Sequence, residues 1–259
     1  MKKNNPHNKK DRKDRKIFAV YVVLRIFVVF VMISQFMHGN YANVFLCLLT
    51  LVLFFIPSFA GKKFNIYLPE PLEIMIILFI FAAEILGEVR EYYINIPHWD
   101  TMLHTINGFL MGAIGFSMID VLNRNDKIHF AMTPAFVAVV AVCFSMTIGV
   151  LWEFFEFGMD VFFHTDMQKD TVLNIISSVN MNPEGTNEAV SAAVRSMVIN
   201  GGEYTFGGYL DIGLFDTMKD LIVNFIGAIA FSILGAIYIS GRGNWAKKFI
   251  PTLKNDKQE

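Results

Sequence analysis

Six apolar stretches, separated by short polar breaks, cover most of the sequence. In chain order they are residues 17–37, 42–60, 72–89, 102–122, 134–157 and 214–240. Each has roughly the 20 residues that an α-helix needs to cross a hydrocarbon layer about 30 Å thick. The breaks contain Pro, Gly and Asn, which interrupt helices. The pattern predicts an all-α, polytopic membrane protein with six transmembrane helices.

Lys and Arg outside these stretches predict the orientation. With the N-terminus inside, the cytoplasmic segments hold 17 basic residues and the outer loops hold three. Basic residues near membrane spans stay in the cytoplasm. We therefore expect a multi-pass protein of the bacterial inner membrane with both termini cytoplasmic. The expected parts are a basic tail (1–16), a membrane domain (17–240) with an outer loop (161–210), and a second basic tail (241–259).

The composition agrees with a membrane location. Hydrophobic residues make up 54% of the 259-residue chain, and the two cysteines, Cys47 and Cys143, lie inside apolar stretches. A soluble domain, a disordered chain and a disulfide scaffold are all excluded. The net charge of −1 gives no reason to expect a nucleic-acid partner. Because the chain is so apolar, membrane lipids are the expected partners. Divided by membrane side, however, the inner half has a balance of +10 and the outer half −11, counted along the sequence.

The outer loop is long and mostly polar. Residues 171–178, preceded by Asp170, are predicted to form a short helix. Apolar residues at positions 190, 193, 194 and 197 predict a second, amphipathic helix that ends at Gly201 and Gly202. The loop is either a plain surface cap or a lid over a site.

A repeat relates the third and fourth stretches to the fifth and sixth. Residues 99–102 read WDTM where the fourth stretch begins, and residues 215–218 read FDTM where the sixth begins. Residues 112–117 (GAIGFS) similarly match residues 227–232 (GAIAFS). The match favours a parallel duplication of helix pairs, and binding sites tend to form where such repeats meet. Chance similarity between helices rich in Gly, Ala and Phe is the alternative.

Polar residues within the stretches gather on one side of the predicted membrane. Stretches three and five run outward while four and six run inward, so their polar groups share the outer half. Spacings of three, four or seven place each set on one helix face. The candidate site residues are Glu84, Glu88, Asp100, His104, Glu153, Glu156, Asp160, Asp216, Asp220 and Asn224. Groups at such depth must face the bundle interior or a water-filled pocket.

Eight carboxylates in this set cannot all stay ionised without compensation. Lys219 supplies a single positive charge, so either protons are shared or a cation is bound. Carboxylates with one imidazole suit Mg²⁺, Mn²⁺ or Zn²⁺. The residues predicted to hold a divalent metal ion are His104, Glu153, Asp216 and Asp220.

Structural roles remain open for most of these residues. Asp100 and Asp216 could cap helices, and Glu88, Glu156 and Asp160 could face water at the interface. A packed, hydrogen-bonded histidine is the alternative for His104, and an interhelical hydrogen bond is the alternative for Asn224.

Three motifs resemble the YjdF-type family of bacterial inner-membrane proteins. They are Trp99-Asp100 with His104, Trp152-Glu153 with Glu156 and Asp160, and residues 207–211 (GGYLD) followed by Asp216, Asp220 and Asn224. The spacing of Asp220, Asn224, Gly227 and Ala228 is similar to a terminal signature of VanZ-like membrane proteins, which are linked to glycopeptide resistance. The first resemblance spans stretches two to six and implies a helical inner-membrane protein. The second covers only the last helix and implies a role at the cell envelope and its lipids, although loop 161–210 departs from the compact VanZ-like pattern.

Three functions are compatible with these predictions. The first is a cation-dependent site that binds or acts on a phosphate-bearing envelope lipid. The second is a proton- or cation-coupled transporter built on the repeat, and the third is a non-catalytic envelope scaffold. The sequence has no recognisable nucleophile, P-loop or dinucleotide motif, and it leaves the reaction and the substrate undetermined.

Overall fold

The computed structural model describes residues 6–63, 66–123, 132–202, 204–241, 249–250 and 252–253. Its α-helices are α1 (Pro6–Met37), α2 (Tyr41–Leu53), α3 (Ile56–Lys63), α4 (Glu70–Phe81), α5 (Tyr92–Asn95), α6 (Trp99–Asn123), α7 (Pro134–Phe163) and α8 (Leu214–Ile239). A π-helix, π1 (Ala82–Val89), directly follows α4. The strands are β1 (Ile66–Tyr67), β2 (Val172–Leu173), β3 (Ile175–Ser178), β4 (Val190–Ala193), β5 (Met197–Ile199), β6 (Tyr204–Phe206), β7 (Tyr209–Leu210) and β8 (Thr252–Leu253).

Within the described residues, five helical segments are long and apolar enough to cross a membrane. They are Lys16–Met37, Tyr41–Lys63, Trp99–Ile119, Pro134–Phe163 and Leu214–Ile239. These segments coincide with five of the six predicted stretches. The other stretch, residues 72–89, is divided between the 12-residue α4 and the eight-residue π1. The membrane character is thus confirmed, and a sixth span stays a prediction.

The chain divides into two compact units. Unit 1 comprises Met1–Gly149 and Ile222–Glu259, and unit 2 comprises Val150–Leu221. By these bounds α7 and α8 each contribute residues to both units. Residues 6–16 of the N-terminal tail belong to α1, and most of the C-terminal tail lies outside the described residues.

Unit 1 has two apolar clusters. The first joins α1, α2, α4 and π1 through side chains such as Val28, Cys47 and Ile77. The second joins α4, α6, α7 and α8 around Phe116 and Phe231, whose ring centroids are 5.9 Å apart. Many other large apolar side chains on the spans are exposed, as lipid-facing residues of a membrane helix are expected to be.

Glycines let α6 and α8 approach closely within unit 1. A Cβ atom added at Gly227 would strike the backbone of Thr105, and one added at Gly108 would strike the backbone of Asn224. Small residues at helix interfaces have this role in membrane proteins, where close van der Waals packing replaces the hydrophobic effect.

Unit 2 has strands where the sequence predicted two helices in the outer loop. Residues 175–178 form β3, which pairs antiparallel with β4, and residues 197–199 form β5, which pairs with β6. Both helix predictions are therefore wrong. Val and Ile fit the pleated surface of a strand, and the cross-strand partners outweigh the helical spacing of the apolar residues. Gly201 and Gly202, predicted to end a helix, take positive φ angles of 69° and 116° in the turn between β5 and β6.

Candidate functional site

Buried carboxylates distinguish unit 2. Among its described residues, every side chain classed as buried belongs to an acid, namely Glu153, Glu156, Asp211, Asp216 or Asp220. Their exposed fractions range from 1% for Asp220 to 8%. Asp and Glu are seldom buried to this degree unless they are paired or hydrogen-bonded, so this arrangement needs compensating contacts.

Lys219 supplies part of that compensation. Its ammonium nitrogen lies 2.9 Å from Asp216 Oδ1 and 3.7 Å from Asp220 Oδ1. Asp216 also accepts a hydrogen bond at Oδ2 from the backbone N–H of Lys169, at 2.9 Å. Asp216 therefore connects the first turn of α8 with the loop, in addition to carrying charge.

The two acids in the C-terminal half of α7 differ in their surroundings. The indole N–H of Trp152 donates to Glu156 Oε1 at 2.8 Å. Glu153, at 4% exposure, is the more deeply buried of the two. Trp152 itself is 45% exposed.

Asp160 and Asp211 hold the loop against the helix ends of unit 2. Asp160 accepts hydrogen bonds from the backbone N–H groups of Met167 (2.6 Å) and Gln168 (2.8 Å). Asp211 accepts from the N–H groups of Thr171 and Phe215, both at 2.7 Å. Burial raises the pKa of the Asp211 carboxyl, but these backbone donors outweigh burial and hold the pKa below its ordinary value.

In unit 1, α6 carries the Asp100–His104 pair. His104 Nε2 lies 3.4 Å from Asp100 Oδ1, one helical turn away, and the His104 side chain is 10% exposed. Asp100 lies in the first turn of α6. The pair offers one imidazole and one carboxylate, which are ligand types for a divalent metal ion, and the same groups could exchange a proton.

Glu84 and Glu88 lie in π1. The N–H of Arg90 bonds to the carbonyl of Ile85 at 3.0 Å, the i to i+5 pattern of a π-helix. Glu84 is half-buried while Glu88 is exposed, which agrees with the water-facing interpretation of Glu88. π-helical turns are rare and occur frequently at functional sites, so Glu84 remains a candidate.

Asn224 joins three helices of unit 1. It is fully buried, its Oδ1 accepts from Asn107 Nδ2 at 3.2 Å, and its Nδ2 lies 3.4 Å from the carbonyl of Ser145. The structural alternative for Asn224, an interhelical hydrogen bond, is therefore present.

Asn107, Ser145 and Asp211 are polar contributors that sequence reasoning did not select as site residues. Asn107 lies three residues after His104, so helical spacing could have found it. Asp211 lies three residues before α8, two positions outside the usual capping residue, yet it binds the free N–H of Phe215 in the first turn of the helix.

The fold and its buried ionisable groups define a class, the helical integral membrane proteins. Residues 19–241 match the family described as predicted membrane protein (DUF2238), and the chain belongs to this family. A protein of Thermotoga maritima described as uncharacterized is 30% identical over 114 residues, which cover 42% of this chain and 56% of that relative. The chain thus spans about half of this relative's length. No solved structure matches the chain.

Proposed function

We propose that this chain is a six-helix protein of the bacterial inner membrane, with both termini cytoplasmic, that binds a divalent cation through acids in the outer half of the bilayer. The site residues in this proposal are those selected from the sequence. His104, Glu153, Asp216 and Asp220 are the proposed ligands, and the other candidate residues are Glu84, Glu88, Asp100, Glu156, Asp160 and Asn224.

The burial of carboxylates in unit 2 carries the proposal. Val150–Leu221 contains 11 acids and three basic residues. Five of those acids are buried, and Lys219, the basic side chain that pairs with Asp216 and Asp220, is half-exposed. Burying several negative charges is costly without positive charge, and a divalent cation supplies two charges at one point.

The kinds of ligand narrow the choice of ion. Carboxylates favour Mg²⁺ and Mn²⁺, while an imidazole such as that of His104 also suits Mn²⁺ and Zn²⁺. A bound cation would also let the acidic region accept a phosphate, because the metal can bridge two anionic groups. A phosphate-bearing envelope lipid is therefore the proposed ligand class, and the similarity of the last helix to VanZ-like proteins points to the same class.

Burial at equivalent positions supports the proposed duplication of helix pairs. Phe116 and Phe231 occupy the same place in the repeated motif, and both are fully buried. Ser117 and Ser232, the next residues, are 3% and 4% exposed. Equivalent positions that have equivalent environments favour common origin over chance similarity.

Metal analysis of the purified, detergent-solubilised protein tests the cation site. We expect at least one Mn²⁺, Mg²⁺ or Zn²⁺ ion per chain, and a melting temperature that falls by several degrees on chelation. Asp220→Asn and His104→Gln should lose the metal and the response to chelator. Lipid binding is then compared with and without the metal, using vesicles that contain a phosphomonoester lipid.

Glu188→Gln is the matched control, because Glu188 is an exposed acid of the same unit and its replacement makes the same change in charge. This variant should behave like the wild type. A purified protein that contains no divalent metal and whose melting temperature is unchanged by chelators would refute the site. Equal losses in Glu188→Gln and Asp220→Asn would show a general charge effect instead.

A further inference from the structure

Ile212, between β7 and α8, is an unusually exposed apolar residue. Its exposed fraction of 85% is the highest among the large apolar side chains of the described residues. Its φ angle is +51°, in the left-handed region. A β-branched residue is disfavoured there, and a turn facing water would normally use Gly or Asn.

Asp211 holds this conformation in place. Its carboxylate accepts from the N–H of Gly213 (3.4 Å) and from the N–H groups of Thr171 and Phe215 (both 2.7 Å). The preceding residues are paired in the β2–β7 ladder, Val172 with Leu210 and Leu173 with Tyr209. Strand pairing before Ile212 and hydrogen bonds to Asp211 after it thus fix the conformation of the turn, in which the Ile212 side chain is exposed.

The exposed side chains that neighbour Ile212 along the chain are apolar. Residues 209–218 contain two acids, Asp211 and Asp216, and both are 8% exposed. Leu214 and Phe215 are 62% and 53% exposed. The exposed apolar side chains of α8 continue along the helix at Phe215, Met218, Ile222, Phe225, Ile226, Ile229 and Ile233. The surface at Ile212 is therefore continuous with the lipid-facing stripe of a membrane-spanning helix.

We propose that Ile212, Leu214 and Phe215 form an apolar wedge that inserts into the phospholipid leaflet at this end of α8. The wedge would contact phospholipids at the depth where the headgroups meet the acyl chains. The continuity of this surface with the lipid-facing stripe of α8 favours lipid over water. Burial of apolar side chains at this depth stabilises membrane attachment in proportion to their area. This inference requires only that α8 spans the membrane, and it does not depend on the cation site.

Single-cysteine labelling in lipid nanodiscs tests the wedge. Cys47 and Cys143 are replaced by alanine, and Ile212→Cys carries an environment-sensitive fluorophore. We expect blue-shifted emission that a spin label at carbon 5 of the lipid acyl chain quenches at least threefold more strongly than aqueous iodide does. Ser191→Cys on the exposed strand β4 is the matched control, with the opposite preference expected.

Leu214→Cys provides a second reporter in the same wedge if Ile212→Cys is poorly folded. Preferential quenching by iodide at both wedge positions would overturn the proposal and place the turn in water. Protection from both quenchers would also overturn it, because it would indicate a protein contact at this surface. The same labelled protein retains the cation-site residues, so the two proposals fail independently.

Discussion

At the scale of single residues, the acids of unit 2 divide into two kinds of environment. The carboxylates of Asp160 and Asp211 accept hydrogen bonds from backbone N–H groups of the loop and so hold the loop in place. Asp216 and Asp220 lie beside Lys219 and belong to the proposed site. The type and spacing of the residues did not distinguish these roles, because all four follow the same pattern of acids near helix ends.

The hydrogen bonds to Asp211 lead to a prediction about pH. Since its pKa is lower in the folded protein, its contribution to stability is complete above the ordinary aspartate pKa of about 3.9 and is lost as the pH falls through the folded value. Asp211→Ala should lower the free energy of unfolding by about 1 kcal/mol at pH 7. Below about pH 4 the variant should lose less stability than the wild type does, because it lacks the carboxylate that becomes protonated. Unfolding of the detergent-solubilised protein between pH 3 and 7 measures both effects.

Asp170 is the control, because its pKa is shifted in the opposite direction to that of Asp211. Burial and the nearby carboxylates of Asp166, Asp211 and Asp160 raise its pKa. Its contribution is therefore lost as the pH rises through the raised value, and Asp170→Asn should be at least as stable as the wild type at pH 7. A loss of stability in Asp170→Asn as large as that in Asp211→Ala would contradict this assignment.

At the scale of elements, the long helices were predictable and the loop strands were not. The bounds of α6, α7 and α8 differ from the predicted stretches by a few residues at most ends, because a long apolar run in lipid satisfies its own backbone hydrogen bonds as a helix. β3 and β4 depend on each other across 11 intervening residues. Spacing within the sequence does not reveal such pairing.

The contact between α6 and α8 leads to a prediction about packing. Gly227→Ala would place a Cβ atom against the backbone of Thr105 and Phe109, which cannot rotate away as a side chain can. We expect a loss of about 1–3 kcal/mol or more, measured as a lower thermal or denaturant midpoint. Gly207→Ala is the control, since no atom lies within 4 Å of its added Cβ, and it should be close to neutral. Similar midpoints for the two variants would argue against close backbone packing at Gly227.

At the scale of the whole molecule, the distribution of charge predicts which ends face the cytoplasm. In a background without Cys47 and Cys143, Ser191→Cys in the outer loop should react with a membrane-impermeant maleimide in intact cells. Asn125→Cys, in the segment that carries Arg124 and Lys127, should react only after the cells are broken open. The reverse pattern would invert the proposed orientation, and labelling of both in intact cells would contradict the single span predicted between them.

By itself the sequence determined that this is a helical membrane protein, approximately where five of its long apolar helices lie, and which acids lie on or near them. These properties are local, because apolar length and helical periodicity act within one segment. Only the tertiary structure decided that Glu84 is half-buried while Glu88 is exposed, that Asn224 bonds to Asn107, and that the loop forms strands. Those features depend on neighbours that are distant in the chain, since burial and hydrogen bonding of a polar group are set by the packing around it.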